Sequence, residues 1–384
     1  MFEAPSSSGL GRQVFILKVA GPNPAGVTVA KGLLVLFGSG ETGAVGKTIH
    51  RKVFQLLRKR DQRVAVLEIP AGVQPNSEIV ANEVADVFRK SLREFVSSVS
   101  VVPARKKTAE RLPRRPDEIG TPRNDDFDFS PDNPEILEPL KQASYIFLGP
   151  GSPTYARKQL ENSLALNMIL DRWENGAVLA LSSAAALAAG NFTLPVYEIY
   201  KVGSDLYWEN GLRLTEKIGL NLTIITHWNN LEGGKDLDTG RCFMGKKRFA
   251  DLEKLLTAGE TILGIDEHTA VIIDPAAGVL TVWGKGSGRL AVNGTETELK
   301  NGVVYDLNFQ KKSGDYFSIG AIEKDLRETV GENELPESIR ELLAKRKISR
   351  DNGLFGEADE IRRILLGFGY EIRDEESGQK AYIN

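Results

Sequence analysis

Cysteine is nearly missing from this 384-residue chain, which has one, Cys242. A single thiol excludes an internal disulfide framework and a cysteine-built zinc site. Histidine is almost as scarce, with three residues, His50, His227 and His268. Any chemistry that needs an imidazole must therefore choose among three positions. No segment approaches the roughly eighteen uninterrupted apolar residues of a membrane helix, and the opening MFEAPSSSGLGRQVF carries no apolar run of signal-peptide kind. An excess of one charge is lacking too. Lys and Arg number 49 against 52 Asp and Glu, a formal net charge of −3, which argues against a whole-chain nucleic-acid binder but leaves local basic patches open. The expectation is a reducing, cytoplasmic location.

What is present is ordinary core-forming material, 41% hydrophobic residues over a length ample for a full α/β domain and a small second unit. Short apolar runs at 33–37, 64–69, 95–102, 145–148, 177–181 and 222–226 are each followed by a helical pattern. Runs apolar on both faces and separated by helices indicate a mainly parallel sheet covered on two sides, a three-layer α/β fold. Beyond residue 263 short strands alternate with Gly turns, as antiparallel hairpins do. The main domain is expected over about 1–320. Within it, residues 103–135 are Pro-rich and heavily charged, which reads as a solvated surface insertion. A small helical domain is expected over 335–384, with amphipathic helices at 335–350 and 357–366 and a turn at Ser377-Gly378.

The stretch LFGSGETGAVGKT (36–48) looks like a phosphate-binding loop and is not one. Counting back from Gly46-Lys47-Thr48, the first glycine of G-x-x-x-x-G-K-[ST] falls at position 41, which is Glu41. A carboxylate in the cradle would repel a phosphate, so no nucleotide and no other cofactor is expected.

The segment GAVLALSSAAALAAG (176–190) carries more chemistry. An apolar strand ends in Ser182-Ser183 and runs straight into alanines, the layout of a nucleophile elbow, although G-x-S-x-G itself is not present. A serine nucleophile needs a base. His50 sits among basic residues and reads as a solvated surface side chain, and His268 lies in a turn carrying two acids. His227 directly follows an apolar strand, where sites in open α/β sheets collect. A carboxylate must then orient the imidazole, and Asp266 and Glu267 are the candidates. Their order after the serine and the histidine is not that of the α/β-hydrolases.

At this point the motifs resemble the cyanophycinase and aspartyl dipeptidase (peptidase E) family, serine peptidases on a flavodoxin-like fold related to class I glutamine amidotransferases. The resemblance rests on LLVLFGSGET, ASYIFLGPGSPTYARKQL, GAVLALSSAAALAAG, IITHW and LGIDEHTAVII. It implies Ser183 as nucleophile, His227 as base and Glu267 as the acid. Leu181 and Ala185 replace the elbow glycines, and a turn slipped by one would make Ser182 the alternative nucleophile. The loop Gly149-Pro-Gly-Ser152 matches the family's oxyanion loop, with Gly151 and Ala184 as oxyanion donors and Gly149 and Ser152 near the substrate. The resemblance also implies substrates with acidic or β-linked aspartyl groups, for which Arg241 and Arg248, with Lys246 and Lys247, are candidate carboxylate contacts. No metal is expected. The rival is a family member with altered or lost activity, acting as a binding protein.

The C-terminal stretch LLAKRKISRDNGLFGEADEIRRILLGFGYEIRDEESGQKAY resembles the helical domain at the extreme C-terminus of cysteinyl-tRNA synthetase. The resemblance implies tRNA contact through Lys345, Arg346, Lys347 and Arg350, with packing or dimerisation as the alternative use. A homodimer is the default expectation for a soluble enzyme.

Overall fold

The computed structural model describes residues 15–18, 32–57, 61–108, 128–257, 260–308, 316–322, 335, 337–367, 370–375 and 378–383. The chain divides into two compact units, Met1–Asn301 with Tyr305–Ile322, and Gly302–Val304 with Glu323–Asn384.

The first unit holds strands β1 (Phe15–Lys18), β2 (Leu34–Phe37), β3 (Gln62–Leu67), β4 (Val96–Val102), β5 (Tyr145–Leu148), β6 (Val178–Ser182), β7 (Phe192–Thr193), β8 (Glu209–Asn210) and β9 (Leu222–Ile225). It continues through β10 (Thr261–Ile265), β11 (Thr269–Asp274), β12 (Val279–Gly284), β13 (Gly288–Val292), β14 (Thr295–Leu299), β15 (Val304–Asn308) and β16 (Tyr316–Ile322). Its α-helices are α1 (Ala44–Leu57), α2 (Ser77–Asp86), α3 (Pro153–Leu160), α4 (Leu164–Glu174), α5 (Ala184–Ala189) and α6 (Gly245–Glu253).

Ten strands form one sheet in the order β1-β16-β15-β12-β11-β2-β6-β5-β3-β4. The run β2-β6-β5-β3-β4 is parallel throughout and forms the centre of the fold. Alternation along these strands sends Val35, Phe37, Val64, Val66, Tyr145 and Phe147 to one face, where they pack with Ile49, Val53 and Phe54 of α1 and Val84 of α2. Leu148, Leu179 and Leu181 go to the other face, against Leu160 of α3, Leu166 and Ile169 of α4 and Ala185 of α5. Each fully buried side chain of this size contributes about 1.5–3 kcal/mol, so the two faces hold the three layers together. Local sequence starts the second-face helices where packing needs them: Ser152 and Ser163 cap α3 and α4 by accepting from Tyr155 N and Leu166 N, at 3.2 and 3.0 Å.

The apolar run at 222–226 pairs in parallel, as a buried strand should, but not in the large sheet. β9 pairs with β10 in a second sheet of order β14-β13-β10-β9. Trp228 and the α6 residues Phe249 and Leu252 pack with Ile225, Ile262 and Ala291 of this sheet. Periodicity reports burial on both faces and is silent about which sheet supplies the neighbours.

Two expectations about polar residues change. His50 is buried, its Nδ1 2.7 Å from the Tyr145 hydroxyl and its ring against Phe37, Phe88 and Phe147. The helical period of α1 turns it inward together with Val53 and Phe54, whatever the basic neighbours suggest. The described ends of the 103–135 insertion are tied down as well: Arg105 reaches the buried Glu68 at 2.7 Å, lies over the Phe129 ring, and donates its backbone N–H to Phe129 O at 2.7 Å. Residues 109–127 lie outside the described residues.

The second unit contains α7 (Glu337–Asp351), α8 (Phe355–Gly367) and an antiparallel hairpin of β17 (Tyr370–Glu375) and β18 (Gly378–Ile383). Leu335, Ile339 and Leu343 meet Ile361, Leu365, Ile372 and Ala381 in its own core. Ser377, expected in the turn, lies outside the described residues. Among the described residues no helix is long and apolar enough to cross a membrane.

Candidate active site

β6 ends at Ser182, and α5 begins at Ala184. The residue between them, Ser183, has φ 50° and ψ −112°, a conformation L side chains adopt rarely and at a cost of order 1–3 kcal/mol. The neighbouring strand holds it there, since Ser183 N donates to Phe37 O at 3.1 Å. Leu181 and Ala185, which stand where elbow glycines were expected, both face the apolar layer of α3 and α4.

The Ser183 hydroxyl lies 2.9 Å from His227 Nε2, and His227 Nδ1 lies 2.9 Å from Glu267 Oε1. A carboxylate on Nδ1 holds the proton on that nitrogen and leaves Nε2 as an acceptor for the serine. The His227 bond in turn holds the Glu267 carboxyl below the usual carboxylate range, assisted by Asn230 and opposed by partial burial.

His227 is itself strained, at φ 50°. Trp228 anchors it: its N–H donates to Ile265 O at 3.1 Å, and its ring lies so close to Gly264 that a Cβ there would come within 2.4 Å. Arg241, Cys242 and Phe243 follow one another at φ 54°, 56° and 67°, a left-handed turn in which Cys242 N donates to His227 O at 3.1 Å. That turn sets the Phe243 ring 5.9 Å from the His227 ring. Non-glycine residues at positive φ thus gather around the imidazole, as they do where surrounding structure over-determines a site.

Of the two candidate acids, Glu267 meets the imidazole. Asp266 is buried and accepts from Ser287 N at 2.9 Å, Ser287 Oγ at 3.2 Å and Arg289 Nη1 at 2.8 Å. Of the two serines, Ser182 is buried and donates to Glu41 Oε2 at 2.8 Å. His50 is bonded to Tyr145 instead, and burial pushes its pKa down to about 3. His268 donates its backbone N–H to Ser39 Oγ at 3.3 Å.

The Gly149–Ser152 loop leads into α3, which packs against α5 of the elbow. Gly151, at φ 151°, must be glycine, because a Cβ would fall 1.8 Å from Pro70 O. Gly149 backs onto Phe147, and the Ser152 hydroxyl is committed to capping α3. Ala184 opens α5. Arg241 pairs with Glu296 at 2.5 Å and lies over Trp228, while Arg248 donates to Met244 O at 2.8 Å and Phe243 O at 3.0 Å. Both guanidinium groups are thus already engaged in holding the His227 side of the site. Lys246 and Lys247 are exposed. Burial pushes the Cys242 thiol up to about 12, which leaves it protonated. No group of three or more His, Cys, Asp or Glu placed to hold a metal occurs among the described residues.

Two contributors were not anticipated. Asn229 Oδ1 accepts the Glu267 backbone N–H at 2.7 Å, and Asn230 Nδ2 donates to Glu267 Oε1 at 2.8 Å. Their only sequence signal is proximity to His227, because an asparagine pair in a Gly-rich loop reads first as turn chemistry.

The fold is similar to that of a solved peptidase. A peptidase from an acI-B1 Actinobacterium superposes with a TM-score of 0.53 at 19% identity, over 73% of this chain and 98% of that one. A Listeria monocytogenes EGD-e protein provisionally described as peptidase E gives 0.42 at 13% identity, over 66% of this chain and 99% of the other. The likeness is one of fold. Residues 332–381 match the family model of the cysteinyl-tRNA ligase anticodon binding domain. None of the curated proteins matches the chain.

Proposed function

We propose that the first unit is a serine hydrolase of the cyanophycinase or aspartyl dipeptidase type, cleaving a peptide or isopeptide bond with Ser183, His227 and Glu267. The observation that carries this reading is the unbroken chain of contacts from Ser183 Oγ through His227 to Glu267, at 2.9 Å each, built on a strained elbow. A half-buried serine–histidine–glutamate chain has a structural use as well, but here it coincides with positive φ at both Ser183 and His227.

In the proposed reaction Ser183 Oγ attacks the carbonyl carbon while His227 Nε2 takes its proton. The tetrahedral intermediate collapses as His227 returns that proton to the leaving amine, and water then repeats the sequence on the acyl-enzyme. Glu267 keeps the imidazole in the competent tautomer and stabilises its charged form. The backbone N–H groups of Gly151 and Ala184 are assigned to the developing oxyanion, where one donor contributes about 2.7–4 kcal/mol. Ser183 rather than Ser182 is the nucleophile in this reading, because the Ser182 hydroxyl is spent on Glu41. Substrate class stays at the (iso)peptide bond: the engagement of Arg241 and Arg248 removes the support they lent to an acidic side chain.

Fluorophosphonate labelling tests the proposal. The wild type and Ser182→Ala should be labelled at one site and Ser183→Ala should not; an unlabelled wild type at every pH tried would leave the binding-protein reading in its place.

For the second unit we infer tRNA contact, supported by the match of 332–381 to an anticodon binding domain. Of the four basic residues expected to touch RNA, three have acidic partners within the unit. Arg346 is buried and forms a two-pronged pair with Asp374 at 2.8 and 2.9 Å, which makes it part of the unit's core. Arg350 also reaches Asp374, at 3.1 Å, and Lys345 stands 3.9 Å from Glu357. The exposed Lys347 is the basic side chain of this group best placed for phosphate.

A further inference from the structure

We propose that Asn229 and Asn230 are positioning residues that fix the Glu267 carboxylate against His227, acting with opposite hydrogen-bond polarity. The inference rests on the triad reading above and names what holds its acid in place.

Partner chemistry settles the polarity. A backbone N–H can only donate, so the Asn229 atom 2.7 Å from Glu267 N is the amide oxygen. An ionised carboxylate can only accept, so the Asn230 atom 2.8 Å from Glu267 Oε1 is the amide nitrogen. A second contact agrees, since Asn230 Oδ1 accepts the Glu232 N–H at 3.2 Å and the amide could not be flipped without losing both bonds. Asn230 is 1% exposed, and its own N–H donates to His227 O at 3.2 Å, so one residue is bonded to both the base and the acid. Asn229 is exposed and holds the backbone of the Glu267 turn.

These contacts leave the carboxylate little freedom. Oε1 receives two donors, His227 Nδ1–H and Asn230 Nδ2–H, and the backbone of the same residue is pinned by Asn229. An acid that swung away would cost His227 its tautomer control, so the pair acts on the reaction through Glu267 and touches no substrate.

The polarity makes aspartate a discriminating replacement. Asp at 229 keeps an acceptor for the Glu267 N–H, and its added charge is exposed and screened. Asp at 230 cannot donate and sets a second carboxylate against Glu267, which raises the proton affinity of the facing imidazole. The charged and titratable groups to account for around Glu267 are His227, His268 and the buried Cys242 thiol, which burial keeps protonated.

The test measures two quantities on the full chain: the fluorophosphonate labelling rate, and the His227 titration midpoint by NMR, assigned with His227→Gln. Asn230→Ala and Asn230→Asp should label roughly ten- to hundredfold more slowly, as expected for loss of a hydrogen bond to a charged group. Asn230→Asp should also move the His227 midpoint upward, because a second carboxylate faces the imidazole. Asn229→Ala should slow labelling, and Asn229→Asp should restore most of the loss. Unchanged rates in both Asn230 variants, or Asn229→Asp as slow as Asn230→Asp, would overturn the assignment. If the wild type is never labelled, the hydrolase reading fails, and the titration still decides here: an unmoved midpoint in Asn230→Asp refutes the positioning role.

Discussion

Replacing His50 by leucine should abolish a large acid sensitivity of the first unit. His50 is fully buried among Phe37, Phe88 and Phe147, and its pKa falls from 6.5 to about 3 on folding, chiefly through desolvation. A depressed folded-state pKa means that the unfolded chain binds the proton first, so stability is intact above pH 6.5 and is lost as the pH falls toward the folded value. The full difference corresponds to about 5 kcal/mol at about 1.36 kcal/mol per unit, of which about 2 kcal/mol has gone by pH 5. In His50→Leu this component is absent. The lost Tyr145 bond, 2.7 Å in the wild type, gives an offset that does not vary over this range, because burial keeps the phenol neutral. Urea unfolding followed by tryptophan fluorescence reads the right unit, since Trp173, Trp208, Trp228 and Trp283 all belong to the first. The wild type should lose about 2 kcal/mol of stability relative to His50→Leu between pH 8 and pH 5. A difference constant across that range would refute the neutral buried imidazole.

The Glu267→Gln variant should fold normally and label on the order of a thousandfold more slowly, because the amide can occupy the site but no longer stabilises the imidazolium; circular dichroism with labelling kinetics checks both halves. For the second unit, the full chain should bind bulk tRNA with an affinity that falls roughly ten- to fortyfold between 50 and 200 mM salt if Lys347 is joined by one or two further phosphate contacts. Lys347→Glu should weaken that binding without unfolding the unit, and filter binding across a salt series measures both.

The layered core and the serine elbow were legible in the sequence because each is a local pattern. An apolar strand meeting an alanine run needs no distant partner to be recognised, and His227 was singled out by following a strand. What stayed hidden depends on the fold as a whole. His50 looked solvated because its neighbours Arg51 and Lys52 are charged, yet helical periodicity turns it onto the sheet beside Tyr145. Glu41, read only as the residue that spoils a phosphate loop, is a buried acceptor for Ser182 across 141 positions of sequence. Arg346 and Arg241 looked like free cations and are held by Asp374 and Glu296. Charge is visible in a sequence, but its partner is not.

The connection from β10 to β11 explains how a serine on one sheet comes to face a histidine on another. Ser183 follows β6 of the ten-stranded sheet, whereas His227 follows β9 of the four-stranded one. β10 lies beside β9 and β11 beside β2, the neighbour of β6, so Asp266-Glu267-His268 is the strap that passes between the sheets. Asp266 ties one end to the smaller sheet through Arg289 and Ser287. Gly38 N donating to Thr269 O at 2.8 Å and His268 N donating to Ser39 Oγ at 3.3 Å tie the other end to the loop after β2. Glu267 sits between these fastenings, so the same turn that bonds to the imidazole also sets the spacing of the sheets that carry the serine and the histidine. Breaking the Asp266–Arg289 pair costs less than the about 3–5 kcal/mol of a fully buried pair, because Arg289 is partly exposed, but it leaves the buried Asp266 carboxylate without its charged partner. Its position in the strap means that the damage would reach the Ser183–His227 distance before it reached the core.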